Sequence, residues 1–209
     1  MKRRLAKGAA MLRPITKDNT FDNCLIFGSD PGPESSAVVG VRVFEGRPKL
    51  VWAAYTTNEY LRDPLLINAP YEPGPRFLSY EKCGAQFKSV GESVFETAAM
   101  GGEIRRAFRP IVSATYALKP SEWRYLLCGQ GNAKTPMVYA EICALFEPTG
   151  GGSDPYKGTK DKPGPLWALH EAGKGGNVEH LKDALGCALA LTRCEFRTGE
   201  GPEKYRRQW

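Results

Sequence analysis

Apolar positions fall into two rhythms along this chain, and the changes between them mark out its elements. Residues 23–29, 36–44 and 49–56 are short β-rich runs and predict three strands, the second and third joined at Glu45-Gly46-Arg47-Pro48, a turn signal. Residues 57–75 are rich in Asn and Pro, and no long helix is expected there. The stretches "RFLSYEKC" (76–83) and "PIVSATYAL" (110–118) predict a fourth and a fifth strand. Helical patterning covers 91–108, despite the paired Gly101 and Gly102, then about 120–128, 134–146 and 178–195. In the last of these, Leu181, Leu185, Ala188 and Leu189 form one apolar stripe. Strands first, then strands mixed with helices, then a closing helix: the order predicts an α/β domain with a mixed sheet.

Between the last two helices, nine of the twenty residues in 147–166 are Gly or Pro, which predicts a mobile loop or linker inside the domain. The folded domain is expected to span 23–196. A basic, flexible arm is expected over 1–22 and a basic tail over 197–209. The first 17 residues carry six Lys or Arg and no acid. Lys7 interrupts the apolar stretch, which argues against a secretory signal; a mitochondrial transit peptide would be richer in serine. The reading is therefore cytoplasmic, with mitochondrial import the lesser alternative.

Composition narrows the classes. A chain of 209 residues with 42% hydrophobic content can bury a real core. No run of 18 apolar residues exists, so no membrane partner is expected. The net charge of +6 suits a polyanion without demanding one. Six cysteines make no Cys-x-x-Cys pair and sit mostly in apolar runs, the pattern of reduced thiols rather than of a zinc site.

Three places carry candidate chemistry. In "CLIFGSDPGP" an apolar run, expected to be a central strand, ends on Asp30. A carboxylate there needs donors or a cation, or it forms a turn by bonding its own backbone before Pro-Gly. Glu81 ends the fourth strand in the same way, with a solvated edge residue as the alternative reading. Glu96, within a helix, is its rival. On the last helix His180 and Asp183, three residues apart, leave the apolar stripe on a face shared with Cys187 and Cys194. Their alternative is a pair tied to the helix start. Taken together, three carboxylates and an imidazole on separate elements suit hard divalent cations, Mg²⁺ or Mn²⁺, of the kind that clamp a phosphodiester in pairs.

These segments also resemble a known family. "IFGSDPGPESSAVV", "FLSYEKC" and "HLKDALGCALAL" are similar to the first, second and closing motifs of the RuvC-type Holliday junction resolvases. "LKPSEWRYLLCGQGNAKTPMVYAEICALF" resembles the stretch between them. "VGESVFETAAMGG" and "GTKDKPGPLWAL" resemble bacteriophage-encoded members more closely. The resemblance spans most of 23–195 and implies an RNase H-like fold, a mixed five-stranded sheet flanked by helices. It implies Asp30, Glu81, His180 and Asp183 as the catalytic set holding two Mg²⁺, with Mn²⁺ able to substitute, and it demotes Glu96. It further implies a homodimer that binds a four-way DNA junction and nicks it in pairs. Lys134, after Gly-x-Gly-x-Ala, matches the family's basic position, with Arg124, Arg105 and Arg106 as further DNA-contact candidates. The chain departs from bacterial members in lacking a clear helix between strands three and four, and in the 147–166 insertion. Three other readings stay open: a flap, fork or RNA–DNA hybrid nuclease on the same fold, a catalytically idle DNA-binding protein, and an actin-like ATPase. The last lacks its second phosphate loop and the length for two lobes.

Overall fold

The computed structural model describes residues 21–61, 74–83, 92–194, 198 and 201–207. Its centre is a six-stranded sheet of order β3-β2-β1-β4-β5-β6. The strands are β1 (Cys24–Asp30), β2 (Ser35–Phe44), β3 (Arg47–Thr57), β4 (Arg76–Glu81), β5 (Ala114–Leu118) and β6 (Arg206–Arg207). β1, β2 and β3 form an antiparallel meander, β4 and β5 run parallel to β1, and β6 closes antiparallel on β5. The helices are α1 (Asn58–Leu61), α2 (Glu92–Phe108), α3 (Pro120–Cys128), α4 (Thr135–Cys143), α5 (Trp167–Ala172) and α6 (Val178–Thr192).

The alternation of β1 sorts the core into two layers. Cys24 and Ile26 pack with α3, α4 and α6, whereas Leu25 and Phe27 pack with Leu61, Met100, Ile104 and Phe108 from α1 and α2. Every β1 residue before Asp30 is buried, as expected of a central strand covered on both faces. The rings of Phe27 and Phe108 meet edge to face at 5.1 Å and anchor the α2 layer.

On the other face α6 lies almost on the sheet. A Cβ on Gly28 would land on the Ala184 carbonyl oxygen and come within 2.9 Å of the Ala188 Cβ. A Cβ on Gly186 would stand 2.6 Å from the Trp123 ring of α3. The Ser79 hydroxyl of β4 donates to the Cys187 carbonyl at 2.8 Å, a third fixed point.

Several expectations change. The sheet has six strands rather than five, because residues expected as a basic tail return as the 3-10 turn Pro202–Tyr205 and β6. At the other end, residues 1–20 of the expected arm lie outside the described residues, but Phe21 and Asp22 belong to the fold. Phe21 is 1% exposed, with its ring against Phe77 at 5.0 Å, and the Gly46 amide donates to the Asp22 carboxylate at 3.0 Å. The fifth strand starts at Ala114 rather than Pro110, after a turn at the end of α2. The segment 147–166 is folded rather than slack. Backbone bonds Gly151 to Lys162, Gly164 to Lys157 and Leu166 to Tyr156 cross-link it, and Leu166 is fully buried. The six-residue α5 and the single turn α1 were not anticipated, because both are too short to show periodicity. All six cysteines are free thiols, and no helix among the described residues is long and apolar enough to cross a membrane.

The Gly28 contact is testable. Gly28→Ala is expected to cost about 1–3 kcal/mol or more through forced separation of α6 from β1. Urea unfolding beside Gly102→Ala, whose added methyl would meet nothing within 4 Å, separates this from a general glycine effect.

Candidate active site

Strand parity places the acids. Asp30 lies four residues after Ile26 and two after Gly28, so it shares the α6 face of β1. Ser79 reaches α6 from β4, and Glu81, two residues on, lies on that same face. The parallel register Ser29↔Tyr80 then sets Asp30 and Glu81 at adjoining strand ends. α6 brings His180 and Asp183 over them. His180 Nδ1 lies 2.8 Å from Asp30 Oδ2, and its ring stacks on Tyr55 of β3 with centroids 5.8 Å apart. Trp123 donates its indole N–H to Glu81 Oε2 at 2.7 Å. Arg124 Nη2 stands 3.6 Å from Asp183 Oδ2.

The loop after Asp30 is pinned from β3's far end. Asn58 donates to the carbonyls of Gly32 and Pro33 at 3.0 and 2.8 Å and accepts from Ser36 at 2.7 Å. Ser36 in turn accepts from the Gly32 amide. Asn58 and Ser36 are buried, and together they fix the backbone that follows the carboxylate.

Burial and mutual repulsion set the electrostatics. Glu81 is pushed up to about 7, first by desolvation and then by the Asp30 charge, against the opposing Trp123 hydrogen bond. Asp183 is pushed up to about 6, again by burial and then by Asp30, with Arg124 opposing. The His180 imidazole titrates above its ordinary value because Asp30 holds its proton.

Among the described residues no three His, Cys, Asp or Glu groups form a ready coordination shell. Each acid instead has one oxygen engaged: Asp30 by His180, Glu81 by Trp123 and Asp183 by Arg124. The donor set still fits a hard divalent cation in chemistry, since three carboxylates converge and burial and mutual repulsion hold two of them above their ordinary range, a penalty that positive charge relieves.

The structure therefore brings Asp30, Glu81, His180 and Asp183 together from three elements. Of the basic candidates it adds Arg124. Lys134 stands exposed at the start of α4. Arg105 and Arg106 lie on α2, across the sheet, where Arg106 pairs with Glu103 at 2.9 Å. Glu96 is exposed on α2, which packs on the sheet face opposite α6. Sequence reasoning missed Trp123, Tyr55 and Asn58. Trp123 reads as one more apolar helix position, and nothing near Asn58 or Tyr55 signals a partner distant in sequence.

No protein-family model and no curated protein sequence matches the chain. Solved structures do. Thermus thermophilus RuvC superposes with a TM-score of 0.53 at 18% identity, covering 84% of this chain and 96% of that one. The chain has the RuvC fold. T. thermophilus RuvC in complex with a Holliday junction substrate gives a TM-score of 0.54 at 18% identity over the same shares. The yeast mitochondrial Holliday junction resolvase Ydc2 is 12% identical, with a TM-score of 0.48 over 90% of this chain and 88% of that one.

The raised carboxyls fix the sign of a pH effect. A carboxyl whose folded value lies above its unfolded value favours the folded state at low pH, and that contribution is lost as pH rises through the folded value. Without divalent cations, stability is expected to fall between about pH 4.5 and pH 7 on account of Glu81. Glu81→Gln, which keeps an acceptor for Trp123, should flatten that slope in urea unfolding curves and exceed the wild type in stability at pH 8.

Proposed function

We propose that the chain is a structure-specific DNA endonuclease that resolves four-way junctions by paired, divalent-metal-dependent nicks. The observation that carries this reading is the convergence of Asp30, Glu81 and Asp183 on one face of the sheet, where burial and mutual repulsion hold Glu81 and Asp183 above their ordinary range. The RuvC fold, seen with a Holliday junction in the T. thermophilus protein, supports the choice of substrate.

In this reading Asp30, Glu81, His180 and Asp183 would hold Mg²⁺, or Mn²⁺ in its place. The cation would supply Lewis-acid stabilisation of the charge that develops on the phosphate oxygens. Asp30 keeps the imidazole of His180 oriented through the 2.8 Å contact, and stacking on Tyr55 holds the ring plane. With Nδ1 turned to Asp30, His180 offers its other ring nitrogen at the edge of the site, where 58% of its side chain is exposed to solvent. Trp123 fixes one Glu81 oxygen and leaves the other to the cation. Paired nicks require two such sites, so the chain works as a homodimer on branched DNA, with Lys134 as a phosphate contact. The bacteriophage-like segments make a viral origin and action in the host cytoplasm part of the same proposal.

The experiment is cleavage of a synthetic four-way junction with Mg²⁺, beside flap, linear duplex and RNA–DNA hybrid controls. The wild type is expected to nick the junction symmetrically. Asp30→Asn should lose at least about a hundredfold in rate while keeping junction binding, since removing a ligand removes transition-state stabilisation. Equal cutting of flap or hybrid substrates moves the assignment to those nucleases. Tight junction binding without cutting by the wild type, in either metal, makes the chain a DNA-binding protein.

A further inference from the structure

The three acids already have a cation beside them. Arg124 sits one residue after Trp123 on α3, so consecutive side chains attend two of the acids: Trp123 bonds Glu81 and Arg124 faces Asp183. The Arg124 contact is the looser of the two. At 3.6 Å its Nη2 is beyond good hydrogen-bonding distance from Asp183 Oδ2. Its Nε is buried and makes no hydrogen bond, unusual for a guanidinium at rest. The group is supported instead by the face of the Trp123 ring, 4.9 Å from centroid to the guanidinium carbon. The charge of Arg124 nonetheless acts on both Glu81 and Asp183.

We propose that Arg124 is the resident counterion of the acid cluster, holding Asp183 while no divalent cation is bound and giving up that carboxylate when one arrives. The claim rests on reading the acids as a cation site. It differs from the role of a DNA contact, which leaves cation affinity untouched. A guanidinium held by ring stacking and one long ion pair neutralises the acids enough for the domain to fold, yet makes too few hydrogen bonds to resist a dication. Its competition sets a threshold that the incoming cation must exceed.

The test is Mn²⁺ binding, followed by the electron paramagnetic resonance of the free ion at low ionic strength without DNA. Arg124→Gln is expected to bind Mn²⁺ about three- to tenfold more tightly than the wild type, because a unit positive charge close to the dication has been removed. Arg124→Lys, which keeps the charge, should stay within about twofold of the wild type; thermal unfolding of both variants verifies that they fold. Unchanged or weaker binding by Arg124→Gln overturns the proposal, as does binding by neither protein. Asp30→Asn separates this failure from that of the nuclease reading. If Asp30→Asn abolishes Mn²⁺ binding and Arg124→Gln does not change it, only the counterion role falls. If Mn²⁺ binding ignores Asp30, both fall.

Discussion

The close approach of α6 to β1 at Gly28 is the constraint on which the rest of the site depends. Because no side chain separates Gly28 from the Ala184 backbone, the helix rides directly on the central strand. Gly186 lets α3 press onto the same helix through Trp123, and Ser79 ties the Cys187 carbonyl to β4. Three contacts along one helix fix both its height above the sheet and its rotation. Asp183 lies one residue before Ala184 and His180 one turn earlier, so their positions over Asp30 follow from that packing.

The same closeness creates the electrostatic problem that defines the site. Apolar packing around α6 keeps water from the acids, and desolvation is the first cause of the upward shift at both Glu81 and Asp183. Each acid has found a partial answer, in an imidazole, an indole N–H and a guanidinium. None of these delivers two positive charges. Carboxylates gathered against their own repulsion store an affinity for a dication that the fold's packing energy sustains.

Much of this arrangement was legible in the chain because it follows short periods. The apolar run within 23–29 marked a buried strand, and the Asp30 that ends it stood out as the one charge there. The stripe Leu181, Leu185, Ala188 and Leu189 gave α6 its buried face, and three-residue spacing joined His180 to Asp183. What stayed hidden depends on contacts between residues distant in sequence. Asn58 meets Gly32 and Pro33 only once β2 and β3 have folded back. Trp123 reaches Glu81 only because Gly186 makes room for its ring. Likewise Gly and Pro in 147–166 marked a break from regular structure, but could not reveal the backbone bonds that lock it. β6 is two residues long, too brief for any pattern, and takes its conformation from Thr115 and Tyr116 beside it.

That small strand has a consequence for the topology of the chain. Phe21, at the start of the described fold, packs its ring 5.9 Å from Tyr116, and Tyr116 pairs with Arg206 near the end. The first and last described segments therefore meet on one strand, on the side where β1 and β4 begin rather than where they close on Asp30 and Glu81. A short peptide joining them there, with new ends opened at the exposed turn Arg109-Pro110, gives a circularly permuted chain with the acid face intact.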